Sequence, residues 1–130
     1  MNIKKIMFQI GEKEITGILN TGQTSQIIYS VLPVEEMVHL WGKEVYFYVP
    51  IKIPLENGSD TVEIGDIAYW PDGPAICIFF GPTPISKENE IKPYSSVSII
   101  GKIDDNFIKT LYNINDGEKI KMKPITNGGV

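Results

Sequence analysis

Short runs of β-branched and aromatic residues, each ended by glycine, proline or asparagine, recur along the chain and constrain its fold most. The segment 44–53, EVYFYVPIKI, has the composition of a strand. Residues 65–84, GDIAYWPDGPAICIFFGPTP, hold two more apolar runs joined by a proline–glycine turn. Helical patterns do not alternate regularly with these runs, so a parallel βαβ sheet is disfavoured. An antiparallel barrel is favoured, because closure removes exposed strand edges.

The remaining segments fit this architecture. Residues 3–10 and 14–19 flank a short glycine-bearing loop and predict a hairpin. The helical spacing of apolar residues predicts a helix over 22–32, capped by Thr21 or Thr24 and ended by Pro33. A polar loop over 82–95, a strand at 96–103, a short helix at 104–114 and a closing strand at 118–125 complete the pattern. We therefore predict a mainly β, closed antiparallel eight-stranded barrel with two short helices, forming a single domain over 1–130 with a frayed tail at 126–130.

Length and charge limit the class of protein. A chain of 130 residues is sufficient for one core, and its net charge of −4 argues against nucleic acid or an anionic membrane as partner. A single cysteine allows no internal disulfide, which is typical of a reducing compartment. The N-terminal apolar run is too short and too polar for a signal peptide, and no later run is long enough to cross a bilayer. We expect a cytoplasmic protein.

Groups that could perform chemistry are few and scattered. Nothing in the sequence brings Cys77, the only cysteine, next to His39, the only histidine. A cysteine inside the apolar run AICIFF is more typical of core packing than of a nucleophile. No ligand spacing for a metal and no glycine-rich phosphate loop is present. The sequence therefore predicts no catalytic residue, no metal and no cofactor.

Aromatic residues concentrate on three predicted strands. Alternation along a strand sends Tyr46 and Tyr48 outward if Phe47 faces the core, and it separates Phe79 from Phe80 in the same way. An outward aromatic strip is one interpretation and would form a shallow binding surface. For any single ring, ordinary cross-strand packing is the favoured interpretation.

The segments WGKEVYFYVP (41–50), 65–84 and SVSIIGKI (96–103) resemble the small prokaryotic cyclophilin-like family, and the similarity extends over nearly the whole chain. The resemblance implies a compact eight-stranded barrel with a helix near each end, related in fold to the peptidyl-prolyl isomerases. The resemblance also implies that the site of true cyclophilins has a catalytic arginine, a phenylalanine in the proline pocket and a histidine at the rim of that pocket. These fall near Val38, Cys77 and Val97 here, so none of the three residue types is where the family's activity requires it.

All 12 basic residues are lysines, so no arginine elsewhere can supply the missing guanidinium group. We therefore predict a non-catalytic binding module for a proline-containing peptide or a small ligand, in a groove edged by Tyr46, Trp70, Cys77 and Phe79. One alternative is a weak, atypical peptidyl-prolyl cis–trans isomerase that desolvates the amide with aromatic residues instead of arginine. Another is an accessory subunit of a larger enzyme assembly. The oligomeric state is not readable from the sequence.

Overall fold

A computed structural model describes residues 3–126 and shows one antiparallel sheet of nine strands. The strands are β1 (Lys4–Ile10), β2 (Lys13–Leu19), β3 (Val34–Met37), β4 (His39–Leu40), β5 (Glu44–Tyr48), β6 (Asp66–Trp70), β7 (Ala75–Phe79), β8 (Ser98–Ile103) and β9 (Lys119–Pro124). Their order in the sheet is β3-β9-β1-β2-β8-β6-β7-β5-β4. The predicted hairpin is β1 and β2, which pair from Lys4 with Leu19 to Ile10 with Lys13.

The two edges of this sheet belong to one stretch of chain, which closes the barrel. Only Val38 separates β3, which pairs with β9, from β4, which pairs with β5. The Val38 N–H donates to the carbonyl of Glu118 at 2.8 Å, and the Val38 carbonyl accepts from the N–H of Gly117 at 2.9 Å. The predicted closed antiparallel barrel is confirmed, and counting β3 and β4 as one bent strand gives the predicted eight.

The helix α1 spans Gln23–Ser30, but its N-terminus is not capped as the sequence suggested. The residue before it is Gly22, and neither Thr21 nor Thr24 caps the helix with its side chain. Instead the Glu56 carboxylate, from a distant loop, accepts the N–H groups of Gln23 at 3.1 Å and Thr24 at 2.8 Å. A carboxylate satisfies free N–H groups there and complements the helix dipole, so it replaces a local cap.

The second predicted helix forms as two short 3₁₀ helices, Asp105–Phe107 and Lys109–Asn113. Asp104 precedes the first of them without capping it, and its carboxylate accepts a hydrogen bond from the Thr16 hydroxyl at 2.5 Å. The predicted polar loop remains without regular strands and pairs only through an isolated bridge of Ile91 with Val62.

Strand alternation divides the buried side chains between two layers. Val45, Phe47, Ile76 and Ile78 point into the barrel and belong to its main core. The outward side chains of β5, β6 and β7 are covered in part by the chain before β6 and the chain before β8, and they form a second, smaller cluster. Its buried members are Val62, Ala68, Cys77, Phe79 and Val97.

Within residues 3–126, no helix is long and apolar enough to span a bilayer. Of the predicted frayed tail, residues 127–130 lie outside the described residues.

Candidate functional site

The outer face of β5, β6 and β7 carries a pocket of about 230 Å³. Strand register explains why a depression forms there. Tyr46 is paired with Cys77, which is paired in turn with Ala68, so two small residues lie beside a large ring. The next outward row places Ala75 between Tyr48 and Trp70. Small side chains therefore separate the large aromatic ones on this face, and Cys77 is the small residue of these strands that lines the pocket.

A tight turn supplies one end of the pocket. Trp41 and Glu44 exchange two backbone hydrogen bonds, of 2.9 and 3.1 Å, across the two residues Gly42 and Lys43. Residues paired in this way project to the same side of a hairpin, so the indole and the carboxyl both line the pocket. Gly42 has a φ of +60°, and a Cβ there would lie 2.8 Å from the ring of Pro84. The turn therefore requires glycine at this position.

The loop between β7 and β8 forms the opposite wall through Pro93 and Tyr94. The Tyr94 ring lies 5.9 Å from the Trp41 ring and 5.8 Å from the Trp70 ring, at interplanar angles of 67° and 72°. The Trp70 indole N–H donates to the Ser95 hydroxyl at 2.6 Å, and that hydroxyl donates to Asp72 at 2.9 Å. This chain of hydrogen bonds ties the loop to the turn that follows β6.

Glu44 gives the pocket its one carboxyl group among the described lining residues. The residue is only 6% exposed. Burial raises the pKa of its side chain to about 7, and a hydrogen bond with the Cys77 thiol offsets part of that effect. A carboxyl removed from water resists ionisation unless a cation or several donors compensate it. Among residues 3–126, none of the ion pairs involves Glu44.

Two further groups of the lining, Cys77 and Tyr46, also favour their neutral forms. Burial, followed by the adjacent Glu44, raises the pKa of the Cys77 thiol well above its usual range. Burial, followed by Tyr48, raises the pKa of the Tyr46 phenol. The described part of the chain holds no group of three metal-ligating side chains. Of the three groups Glu44, Cys77 and Tyr46, Glu44 is the one with a pKa near neutral pH.

Three of the four residues predicted to edge a groove line this pocket: Tyr46, Trp70 and Cys77. Phe79 shares their face of the sheet but is fully buried in the second cluster and is not part of the lining. Glu44 was not among the predicted residues, although its spacing of two and four residues from Tyr46 and Tyr48 indicates the same strand face. Trp41, Pro93 and Tyr94 were not predicted either, because their approach to the pocket depends on a turn and a long loop.

The positions aligned with the cyclophilin site separate in space. Cys77 and Val97 line the pocket, but Val38 is fully buried in the main core of the barrel. The Val38 side chain therefore does not face the pocket. On this segment the outward neighbours are His39, which stacks on Tyr46 at 5.2 Å, and Trp41.

Comparison with known proteins places the chain in a family. The solution structure of the hypothetical protein AF2241 from Archaeoglobus fulgidus is similar over 95% of both chains, with 32% sequence identity and a TM-score of 0.77. A structure of McbB in complex with tryptophan has a TM-score of 0.70 but only 10% identity, covering 96% of this chain and 45% of McbB, which shows the fold alone. No curated protein matches significantly. The family model described as cyclophilin-like matches residues 4–123, and the chain therefore belongs to the cyclophilin-like family.

Proposed function

We propose that this barrel is a non-catalytic binding module whose ligand occupies the pocket between β5, β7 and the loop carrying Tyr94. The observation that supports this proposal best is that five aromatic side chains line one pocket together with the smaller Cys77 and Val97: Trp41, Tyr46, Tyr48, Trp70 and Tyr94. Tyr94 is 69% exposed and Tyr48 is 44% exposed, although each has aromatic neighbours against which it packs. Exposed rings gathered at one concave place are typical of a binding surface.

The ligand or its bound part is small. A volume of about 230 Å³ is below the ~300–1,000 Å³ of pockets for drug-sized molecules. It suits one side chain or head group, such as the proline of a peptide or a compact small molecule. McbB, which is similar in fold, was solved in complex with tryptophan, so tryptophan is a reasonable first probe.

Binding is favoured over covalent catalysis by the chemistry of the lining. The Cys77 thiol is buried and its pKa is raised, so the nucleophilic thiolate is disfavoured. Glu44 has no histidine or second carboxyl beside it in the lining with which to share acid and base roles. A lone carboxyl with a neutral pKa is nevertheless able to transfer a proton. Mass spectrometry of ligand recovered after incubation in D₂O tests this point, and we expect no deuterium at its carbon atoms.

Prolyl isomerisation is disfavoured by the sign of the charge. Isomerases of the cyclophilin type use a cation near the twisted amide, whereas the charged group in this lining is a carboxyl. In a protease-coupled assay with a proline tetrapeptide at micromolar protein, we expect no rate above background. Turnover that falls when Tyr94 is replaced by alanine would contradict the non-catalytic assignment.

Both tryptophans of the chain line the pocket, so their indole N–H resonances are local reporters. We expect an Ala-Ala-Pro-Ala peptide or free tryptophan to shift these resonances and the amides of Tyr46 and Cys77 in an NMR titration. Tyr94→Ala should weaken binding about three- to ten-fold, the usual contribution of an aromatic contact. Ile64→Ala, at an exposed apolar residue outside the lining, is the control. The proposal would be refuted if these resonances did not shift with millimolar peptide, with millimolar tryptophan or with millimolar choline.

A further inference from the structure

We propose that the pocket binds a small molecule through an alkylated ammonium group, with the Glu44 carboxylate as its counter-ion. This inference rests on the proposed function and specifies the ligand class of the same site. Its basis is the position of a buried, unpaired carboxyl inside a wall of aromatic rings.

The rings are arranged as walls and not as a filled aromatic core. Trp41 and Trp70 both meet Tyr94 at steep angles, and Tyr46 meets Tyr48 at 89° with 5.8 Å between ring centres. Rings at such angles enclose space on several sides. The negative π faces of tryptophan and tyrosine attract an ammonium ion within ~6 Å, and enclosure by several rings is the known way in which proteins hold alkylated ammonium groups.

The charge of the pocket is complementary to a cation. Glu44 lies at the start of β5 and lines the pocket with Tyr46 and Tyr48 from the same strand face. The adjacent lysine does not neutralise it, because the Lys43 ammonium lies over the Tyr112 ring, 4.9 Å from its centre, and over the ring of Phe80. A ligand cation would provide the compensation that residues 3–126 do not supply through an ion pair.

The small number of acceptors favours an alkylated ammonium over a guanidinium or a primary amine. A primary ammonium has three N–H donors and a guanidinium has five, and each donor that loses water without finding an acceptor in the lining is costly. Besides Glu44, the acceptor groups on the lining side chains are tyrosine hydroxyls and one thiol. Alkyl groups replace donors by apolar surface, which the rings and Val97 can cover.

The first experiment compares choline with its neutral carbon isostere, 3,3-dimethylbutan-1-ol, by tryptophan fluorescence and NMR titration. Shape and size are matched, so a difference in affinity reports charge. We expect choline to bind at least ten-fold more tightly. Equal affinity for the two would overturn the cation inference while leaving the binding function intact. The cation inference would also be overturned if the Ala-Ala-Pro-Ala peptide or tryptophan bound while choline and its isostere did not.

The second experiment removes the counter-ion. Glu44→Gln keeps the shape of the side chain and should reduce choline affinity about ten-fold, with little effect on the isostere. Glu14→Gln is the matched control, since it removes the same charge from an exposed position on β2. Loss of preference in both variants, or in neither, would contradict the role of Glu44. Thermal unfolding of each variant verifies that it is folded.

The pH dependence gives an independent readout. The groups that surround Glu44 are Tyr46 and Tyr48 on its own strand, Cys77 on β7, and Asp116 and His39 near Tyr46. Because the carboxyl has a pKa of about 7, choline affinity should rise up to about ten-fold between pH 6 and pH 8. His39→Gln should retain this rise and Glu44→Gln should lose it. The opposite pattern would assign the titration to the imidazole and refute the counter-ion role.

A final arm identifies the source of the ammonium group. Free trimethyl-lysine and a trimethyl-lysine peptide present the same head group, and we expect similar affinities for both. A peptide that binds more than ten-fold more tightly would overturn the small-molecule part of the inference.

Discussion

Glu44 is the residue whose environment departs furthest from that of an ordinary surface carboxyl. Its side chain is almost completely buried, and the pKa rises from an ordinary value of 4.5 to about 7. Between pH 4.5 and pH 7 the Glu44 carboxyl is ionised in the unfolded chain but still protonated in the folded protein. Folding is therefore increasingly penalised as the pH rises from 4.5 to 7, and the penalty is constant above that range.

At the residue scale we predict that Glu44→Gln removes this penalty. The shift corresponds to about 3 kcal/mol, so the variant should gain up to about that much stability relative to the wild type between pH 4.5 and pH 8. Urea unfolding at both pH values measures the difference. Glu14→Gln, which alters an exposed carboxyl, should leave the pH dependence near that of the wild type. A Glu44→Gln variant with the wild-type pH dependence would show that the buried carboxyl does not carry the penalty.

At the scale of elements, long-range contacts complete structures that local sequence leaves unfinished. The helix α1 receives its N-terminal acceptor from Glu56, more than thirty positions away. The β2–β8 seam requires Gly101 for a similar non-local reason, since a Cβ there would lie 2.1 Å from the carbonyl oxygen of Ile18. In both cases the partner is defined by the closed barrel.

We predict that Glu56→Ala destabilises the protein by about 1 kcal/mol, as expected for loss of a helix cap. Two helix N–H groups lose their acceptor, while the barrel core is unaffected. Denaturant unfolding at pH 7 measures the change, and Glu88→Ala, in the exposed loop after β7, is the control. Equal stability of the two variants would show that water replaces the carboxylate without cost.

At the scale of the whole molecule, the pocket and the barrel share their strands. The pocket-lining side chains of β5 and β7 alternate with core residues such as Phe47 and Ile76. Phe47 is fully buried and meets the Phe8 ring edge-on at 6.2 Å across the core. Loss of the core should therefore dismantle the pocket at the same time.

We predict that Phe47→Ala lowers the free energy of unfolding by about 3–5 kcal/mol, as for other large-to-small changes in a core. If unfolding is cooperative, far-ultraviolet circular dichroism and tryptophan fluorescence should give one coincident transition in the wild type. Fluorescence reports the pocket here, because both tryptophans line it. A fluorescence transition that clearly precedes the dichroism transition would show that the pocket wall opens independently.

The sequence by itself determined the barrel class, the hairpin, the main helix and the inward or outward direction of side chains on β5 and β7. These features follow from local composition and from the two-residue period of a strand, both of which are present in a short window. The alternation also brought Tyr46, Trp70 and Cys77 onto one face, and the family resemblance agreed with this fold.

Only the tertiary structure decided which residues close the pocket and what charge it contains. Tyr94 reaches Trp41 and Trp70 through a long loop, and Glu44 is buried by residues from other strands and from that loop. Phe79 was selected because of its strand face, but its register opposite Glu44 places it in the cluster beneath the pocket. Burial and pKa depend on what covers a side chain, and the covering residues here are distant in sequence.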